Sequence, residues 1–521
     1  MAEAPAAPAV LPAPAPAPYS GGMLALLTFV LAIANMMEVL DLTIANVSIP
    51  TITGDLAVSP NQGTWVITSY AIANAITVPM TGWFAQRFGQ VRVFTLAIAL
   101  FTGASFLCAL STSLEMLVAF RILQGAVAGF MVPLSQALLM SSFPPQKRGV
   151  GLAIWAMTIV VAPIIGPILG GWITENYHWS WIFLINIPVG IFAALATWEL
   201  LKDRETPTKK LPIDGVGMAL LVLWVGALQL MLDKGNELDW FSSGLIQACA
   251  AVAALGFALF LAWELTEDHP VVDLGIFRFP NFRRGALTLS LGFSLFFANI
   301  VILPLWLQTQ MGYTSLWAGF ALAPAGILAV LFSPLVGMRL GKGTDPRILA
   351  TIGFITFTAV FLWRAHFNTN ADFVTIALPQ LLQGVGIAFF FAPLISINLG
   401  GIPNARIANA TGLQNFLRMM AGSFGASLAV TYWDHRASIH RTQLAEHVSQ
   451  FGMQTQDFLN QLTGSGLSLD QAHAYIERQL SNQASMLAAN DIFWFSGWTF
   501  VVLLAVLWTT RPPFGGPGGG H

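Results

Sequence analysis

Apolar runs of about twenty residues follow one another along almost the whole chain, with short polar turns between them. A helix of that length crosses the roughly 30 Å of hydrocarbon in a bilayer. Fourteen such runs fall at 23–47, 63–83, 92–111, 115–140, 149–172, 180–201, 213–232, 243–264, 284–308, 317–338, 347–366, 373–398, 407–432 and 491–510. A soluble surface cannot be built from such a chain: of 521 residues, 55% are hydrophobic and 9% charged, with a mean hydropathy of +0.69. The bilayer is therefore the main solvent, and the expected class is an all-α integral membrane protein.

Charge matters here by position, not by its net value of −2. With the N-terminus in the cytoplasm, that side collects Arg87, Arg92, Lys147, Arg148, Lys202, Arg204, Lys209, Lys210, Arg278, Arg283, Arg284, Arg339, Lys342, Arg347, Arg406 and Arg511. The other side has Lys234, Arg364, Arg436, Arg441 and Arg478. The bias places both termini inside. Residues 1–22, rich in Pro and Ala and without Lys or Arg, read as a disordered cytoplasmic tail instead of a signal peptide, and 511–521 as a second cytoplasmic tail. Cys108 and Cys249 lie far apart within apolar runs, which suits core packing better than a disulfide or metal site. Nothing supports nucleic-acid binding.

The chain also repeats itself. Pro79 and Gly82 return as Pro334 and Gly337, the triplet Leu123-Gln124-Gly125 as Leu382-Gln383-Gly384, and Pro145 with Arg148 as Pro403 with Arg406. Landmarks in the same order imply two parallel bundles related by an axis along the membrane normal. Residues 23–201 form the N-terminal six-helix bundle, 213–264 an inserted hairpin, and 284–510 the C-terminal six-helix bundle. The last includes a polar periplasmic loop at 433–490, in which Ala437 to Val448 and Leu469 to Ala488 have helical patterning. Its histidines, His435, His440, His447 and His473, lack cysteine partners and compact ligand spacing, so they read as solvated helix surface and not as a metal site.

Four stretches carry chemistry. Glu38 and Asp41 interrupt the first run, and Arg121 sits several residues into the fourth; a charge at bilayer depth costs about 2.5–3.5 kcal/mol and normally finds a partner inside the bundle. Gly125 and Gly129 follow Arg121 as a small-xxx-small face. The turn after the second run, GWFAQRFGQVR from Gly82 to Arg92, supplies Gly82 and Gly89 for close packing and Arg87 and Arg92 for helix ends or topology. In the fifth run Pro163 and Pro167 remove backbone donors, while Gly166, Gly170 and Gly171 allow close packing against a neighbour.

Together these stretches resemble the motifs of the major facilitator superfamily. The turn resembles its G-x-x-x-D-R-x-G-R-R/K loop, with Gln86 where an acid is usual and Gln90 where an Arg is usual, which argues against a charge-relay latch in this half. Arg121 and Gly125 resemble its R-x-x-x-G motif. Gly166-Pro167 with Gly170-Gly171 resembles the G-P-x-x-G-G motif of antiporter branches, with Ala162 where a glycine is usual. Leu40 to Pro50, LDLTIANVSIP, resembles the first-span signature of fourteen-span drug:proton antiporters, and the likeness runs from about Met23 to Pro513. His178 to Pro188, Trp433 to Pro513 and the Arg511 tail resemble the inner-membrane pumps of tripartite efflux systems in particular.

The resemblance implies a major facilitator fold with fourteen transmembrane helices, in a bacterial inner membrane. It also implies a proton-driven exporter of lipophilic drugs or uncouplers, working with a periplasmic adaptor of the EmrA type and an outer-membrane channel of the TolC type. No cofactor is implied beyond the proton gradient, and no enzyme activity. Two decoys fall away: Gly337 to Thr344 lacks the glycine spacing and hydroxyl of a phosphate loop, and Gly384-Val-Gly386 lacks the third glycine of a dinucleotide fingerprint.

Asp41 facing Arg121 forms a titratable pair whose state can follow cavity opening. Glu38, on roughly the same helical face, is either a second titrating group, a cation-attracting wall or a solvated bystander. Substrate-pocket candidates are Asn46, Gln124 and Trp155 in the first half and Phe296, Phe297, Asn299, Gln414, Asn415, Phe416 and Arg418 in the second, where helix packing competes as an explanation for each aromatic. An uptake symporter of the same fold would lack reason for the fifth-span motif, and a non-transporting scaffold would lack reason for the buried charges.

Overall fold

The computed structural model describes residues 19–144, 147–448, 452–512 and 514. Most of the expected N-terminal tail (1–18), Pro145 among the repeat landmarks, and the C-terminal tail apart from Arg511, Pro512 and Phe514 lie outside the described residues. Among the described residues all regular structure is helical, because a chain in hydrocarbon must satisfy its peptide groups within each segment.

Helical segments occupy all fourteen expected positions: α1 (Gly21–Asp55), α2 (65–88), α3 (Gln90–Ala109), α4 (Leu114–Ser142), α5 (Arg148–Asn176), α6 (Trp181–Arg204), α7 (Gly215–Lys234), α8 (Gly244–Glu264), α9 (Pro280–Thr309), α10 (Leu316–Gly341), α11 (Pro346–Arg364), α12 (Phe373–Leu399), α13 (Ile407–Ala445) and α14 (Leu469–Leu507). Eleven of them are, each by itself, long and apolar enough to cross a membrane, and α5 makes twelve once its 41° bend between Pro163 and Ile165 is counted as one span. The other two are α2, broken at Pro79 into Trp65–Thr77, a 3-10 turn Val78–Met80 and Thr81–Phe88, and α13, whose composition is more polar. Each proline deletes a ladder hydrogen bond, so the breaks in α2 and α10 fall at Pro79 and Pro324.

The polar excursion differs from expectation. Ala437 to Val448 and Leu469 to Ala488 are not separate loop helices: α13 runs unbroken to Ala445, and α14 starts at Leu469 instead of 491. Each is 39 residues long, about 58 Å at 1.5 Å per residue, so each projects far beyond a hydrocarbon layer of about 30 Å. Neither Gly nor Pro occurs in 433–445 or 469–491, and among the described residues a short helix, Met453–Gly464, follows Gly452 and precedes Gly466 between the two long helices.

The second half repeats the packing of the first. α1 lies on α5 as α9 lies on α13, α2 on α4 as α10 on α12, and α3 on α6 as α11 on α14. Between the halves, α5 meets α10 and α2 meets α13, while α7 pairs with α8 and touches both α2 and α13. The described chain ends share one face, here the terminal face. The Tyr19 hydroxyl donates to the Leu200 carbonyl at the end of α6, and the Arg511 carbonyl accepts from Asn281 Nδ2 at 2.7 Å at the start of α9.

On that face the halves touch backbone to backbone. A Cβ on Gly337 of α10 would lie 2.5 Å from Val150 Cα of α5, and one on Gly149 would lie 2.7 Å from the Gly337 carbonyl. Gly82, the repeat partner of Gly337, is pressed against Asn409 of α13 in the same way.

Candidate functional site

α4 presents Arg121 and Gln124 on one face at i, i+3 spacing. Gly125 lets α4 approach so closely that a Cβ there would strike the Tyr70 carbonyl of α2, and Gly129 does the same against Thr77 and the Asn74 carbonyl. This approach brings Arg121 Nε within 3.0 Å of the Val66 carbonyl, and its guanidinium carbon sits 4.2 Å from the Tyr70 ring centroid and 5.5 Å from that of Phe183.

At this level Asp41 enters from α1. Arg121 Nη1 donates to Asp41 Oδ2 at 2.5 Å and to Gln124 Oε1 at 2.7 Å, and both charged side chains are 0% exposed. The other carboxylate oxygen, Oδ1, accepts from Gln124 Nε2 at 3.1 Å and from Asn186 Nδ2 of α6 at 2.8 Å. Ser105 of α3 closes the ring by accepting from Gln124 Nε2 at 2.7 Å and Asn186 Nδ2 at 3.3 Å, and the Cys108 thiol donates to Gln124 Oε1 at 3.6 Å. Taking two ions out of water costs several kcal/mol each, which this pairing offsets only because nearly every polar atom is used. Arg121 Nη2 is the exception, buried without a partner.

Glu38 does not join this node. Three residues of helix leave the two side chains about 60° apart, enough to send Glu38 toward α2, where its Oε1 accepts from Asn74 Nδ2 at 2.8 Å. Its Oε2 is buried without a partner, and the charge that acts on it from across the bundle boundary is Arg418 of α13. The bystander reading of a solvated Glu38 is therefore wrong in this conformation, since the residue is 6% exposed.

The pocket candidates do not converge. Gln124 is consumed in the Asp41 node, Trp155 donates to Ser135 Oγ at 2.9 Å inside the first bundle, and Asn46 is exposed. In the second half Phe296 and Phe297 belong to a cluster around Phe293, Asn299 donates to Ser496 Oγ at 3.0 Å, and Gln414 accepts from Asn398 Nδ2 at 2.9 Å. Only three reach the boundary between halves or the hairpin: Asn415, donating to Gln136 Oε1 of α4 at 2.8 Å, Phe416, edge-on to Trp224 of α7 at 5.8 Å, and Arg418.

Of the fifth-span residues, Gly166 and Gly170 press on Thr43 and Ile44 of α1 beside Asp41, but Gly171 has nothing within 4 Å where a Cβ would be, so it is not a packing glycine. Pro163 and Pro167 lie within α5, whose bend falls at Pro163. In the turn after α2, Gly89 has φ 96, a conformation that favours glycine, and the Glu205 carboxylate fills the space beside it. Glu205 caps α3 by accepting from Val91 N at 3.1 Å and Arg92 N at 2.9 Å, and Arg87 lies 5.3 Å from the Trp83 ring centroid. Gln86, which replaces the usual acid, donates to Asn409 Oδ1 at 2.8 Å; Asn409 donates in turn to Asp273 at 3.3 Å, and Arg406 stands 3.9 Å from that carboxylate. This clasp is built on the amides of Gln86 and Asn409, with its acid, Asp273, supplied by the linker after α8.

Sequence reasoning missed Tyr70, Ser105 and Asn186, and it set Arg364 in an outer loop. Arg364 is 1% exposed at the end of α11, its guanidinium donating to Gln383 of α12 while its Nε has no partner. The repeat carried the signal, since Gln383 is the counterpart of Gln124.

Comparison with known proteins agrees with this architecture. Residues 31–426 match the profile of the Major Facilitator Superfamily. The chain is 50% identical over 499 residues to the multidrug export protein EmrB of Haemophilus influenzae, covering 96% of this chain and 98% of that one. It is 48% identical over 504 residues to the fatty acid resistance protein FarB of Neisseria gonorrhoeae, covering 97% and 99%. The crystal structure of the human organic anion transporter MFSD10 superposes with a TM-score of 0.61 at 14% identity, over 94% of this chain and 100% of that one, a likeness of fold. The chain belongs to the Major Facilitator Superfamily, a family of transporters and not of enzymes, and within it to the EmrB-like branch.

Proposed function

We propose that this protein exports lipophilic drugs from the cytoplasm in exchange for protons, with Asp41 as the coupling carboxylate. The observation that carries the reading is the Asp41–Arg121 pair, 0% exposed on both sides and ringed by Gln124, Asn186 and Ser105. A carboxylate held by a guanidinium stays ionised, and one released from it in a low-dielectric site takes up a proton. Rearrangement of α1 against α4 therefore switches its charge, and Gly166 and Gly170 place the bent α5 directly against the segment of α1 that would move. An inward proton yields about 2.3 kcal/mol per 100 mV of membrane potential.

With the terminal face in the cytoplasm, the contacts of Gly149 with Gly337 and Gly82 with Asn409 close that side. Glu38, Asn74 and Arg418 then flank the substrate path between the halves, where one acid and one base favour neutral or anionic lipophiles as readily as cations. The multidrug and fatty-acid resistance names of the relatives support such substrates. The inner membrane is the site of action, and the long α13–α14 hairpin is the surface offered to an EmrA-type adaptor that leads to a TolC-type channel.

Dye efflux from proteoliposomes under an imposed pH gradient tests the coupling role. Gradient-driven efflux is expected in the wild type and lost in Asp41→Asn; undiminished efflux in the variant would remove Asp41 from the mechanism.

A further inference from the structure

A second acidic pair lies far from Asp41, at the base of the inserted hairpin. Asp214 caps α7, its Oδ1 accepting from Gly217 N at 2.8 Å and from Trp263 Nε1 at 2.9 Å. Glu264 ends α8, its Oε2 accepting from Val272 N at 3.3 Å. Both residues are more than nine-tenths buried, at 7% and 4% exposed. Each carboxyl therefore has one satisfied oxygen and one, Asp214 Oδ2 and Glu264 Oε1, that is buried with no partner. Both orphaned atoms lie beside the place a Cβ would take on Gly217, Glu264 Oε1 at 2.9 Å from it and Asp214 Oδ2 closer still.

The charges that act on Glu264 are Asp214 and Glu267, both acidic. Two neighbouring buried carboxyl groups disfavour a second negative charge, and a proton shared between them would give both orphaned oxygens a partner. We infer that Asp214 and Glu264 hold one proton between them and that this proton fastens the base of the α7–α8 hairpin. The link reaches further: Glu264 holds Val272, and the next residue, Asp273, is the acid of the clasp with Asn409 and Arg406. The pair is thus a proton site on the terminal face, one step from the contact that closes it.

The inference needs neither substrate nor gradient to be tested, so it stands or falls apart from the efflux reading. Full-length protein in lipid nanodiscs is titrated from about pH 6 to about pH 9, and wild type should release about one proton more than Glu264→Gln, whose amide can donate to Asp214 without a proton. Because the proton is bound by the folded state and not by the unfolded chain, its contribution is present at low pH and lost as pH rises. The unfolding temperature of wild type should fall across that interval more than that of Glu264→Gln. The infrared carbonyl stretch of a protonated carboxyl, read at neutral pH, should weaken in both Glu264→Gln and Asp214→Asn. Equal proton release by wild type and Glu264→Gln would overturn the inference, as would a wild-type carboxyl band that disappears on adding Ca²⁺ or Mg²⁺, since a cation would then occupy the place given to the proton.

Discussion

Among the described residues each half of the molecule fully buries one guanidinium, but only one half gives it a counter-ion. In the first half Arg121 meets Asp41 at 2.5 Å, with Gln124, Asn186 and Ser105 completing the shell. In the second, Arg364 meets the neutral Gln383, and Asn299, the counterpart of Asp41 on α9, bonds instead to Ser496 of α14. The scaffolding is shared, since Gln124 and Gln383 come from the repeated Leu-Gln-Gly and the last helix of each bundle bonds to the first. The charge is not shared. The two halves keep the polar framework in common but a buried carboxylate at this level in one only, so the proton exchange proposed above falls to the first bundle alone.

The most severe test removes each guanidinium in turn. Arg121→Met leaves Asp41 buried and uncompensated, an arrangement that costs about 3–5 kcal/mol. Arg364→Met removes a charge that has no acid beside it and strands only the Gln383 carbonyl, at about 1–3 kcal/mol offset by the desolvation no longer required. Thermal unfolding in detergent should show a large loss for the first variant and little change for the second. Equal losses would mean that the two nodes are energetically equivalent despite their different partners.

Transplanting the acid comes next. Asn299 donates to the Leu295 carbonyl at 2.7 Å and to Ser496, and an ionised Asp at this position can do neither. Asn299→Asp is therefore expected to cost about 1–3 kcal/mol and, added to Asp41→Asn, to leave gradient-driven efflux absent. Restored efflux in the double variant would show the halves to be interchangeable and break the comparison.

Why the first node was legible and the second was not follows from the residue types. Asp41 and Arg121 are isolated charges within apolar runs, and only a mutual partner makes both tolerable, so their pairing can be read from the amino-acid sequence alone. Ser105, Tyr70 and Asn186 are ordinary constituents of membrane helices, and their roles arise when α3, α2 and α6 close around α4, which no local pattern encodes. Arg364 ends its apolar run and so reads as a loop charge; only the packing of α11 on α12 shows it buried. The positions of the helical segments were legible from hydropathy, although α2 and α13 are not by themselves long and apolar enough to cross a membrane; the extents of α13 and α14 were not legible, because polar sequence outside the bilayer continues a helix as readily as it ends one.

The smallest effects concern the glycines through which α5 meets α1 and α13 meets α9, and they ask whether the halves are alike where no charge is involved. A Cβ on Gly425 would strike the Ser294 carbonyl, a backbone atom that cannot step aside, whereas one on Gly166 would strike the Thr43 side chain, which can rotate at the loss of its bonds to Val39 and Leu40. Gly425→Ala should therefore cost most, at about 1–3 kcal/mol, with Gly166→Ala below it. Gly171→Ala should cost nothing, because no atom lies within 4 Å and alanine is the better helix former by about 1 kcal/mol. Unfolding temperature and efflux rate measured on the three variants give the order. Should Gly171→Ala prove as damaging as Gly166→Ala, a neighbour must reach that face in another conformation of the transport cycle, and the motif glycine would belong to the moving state and not to the one described.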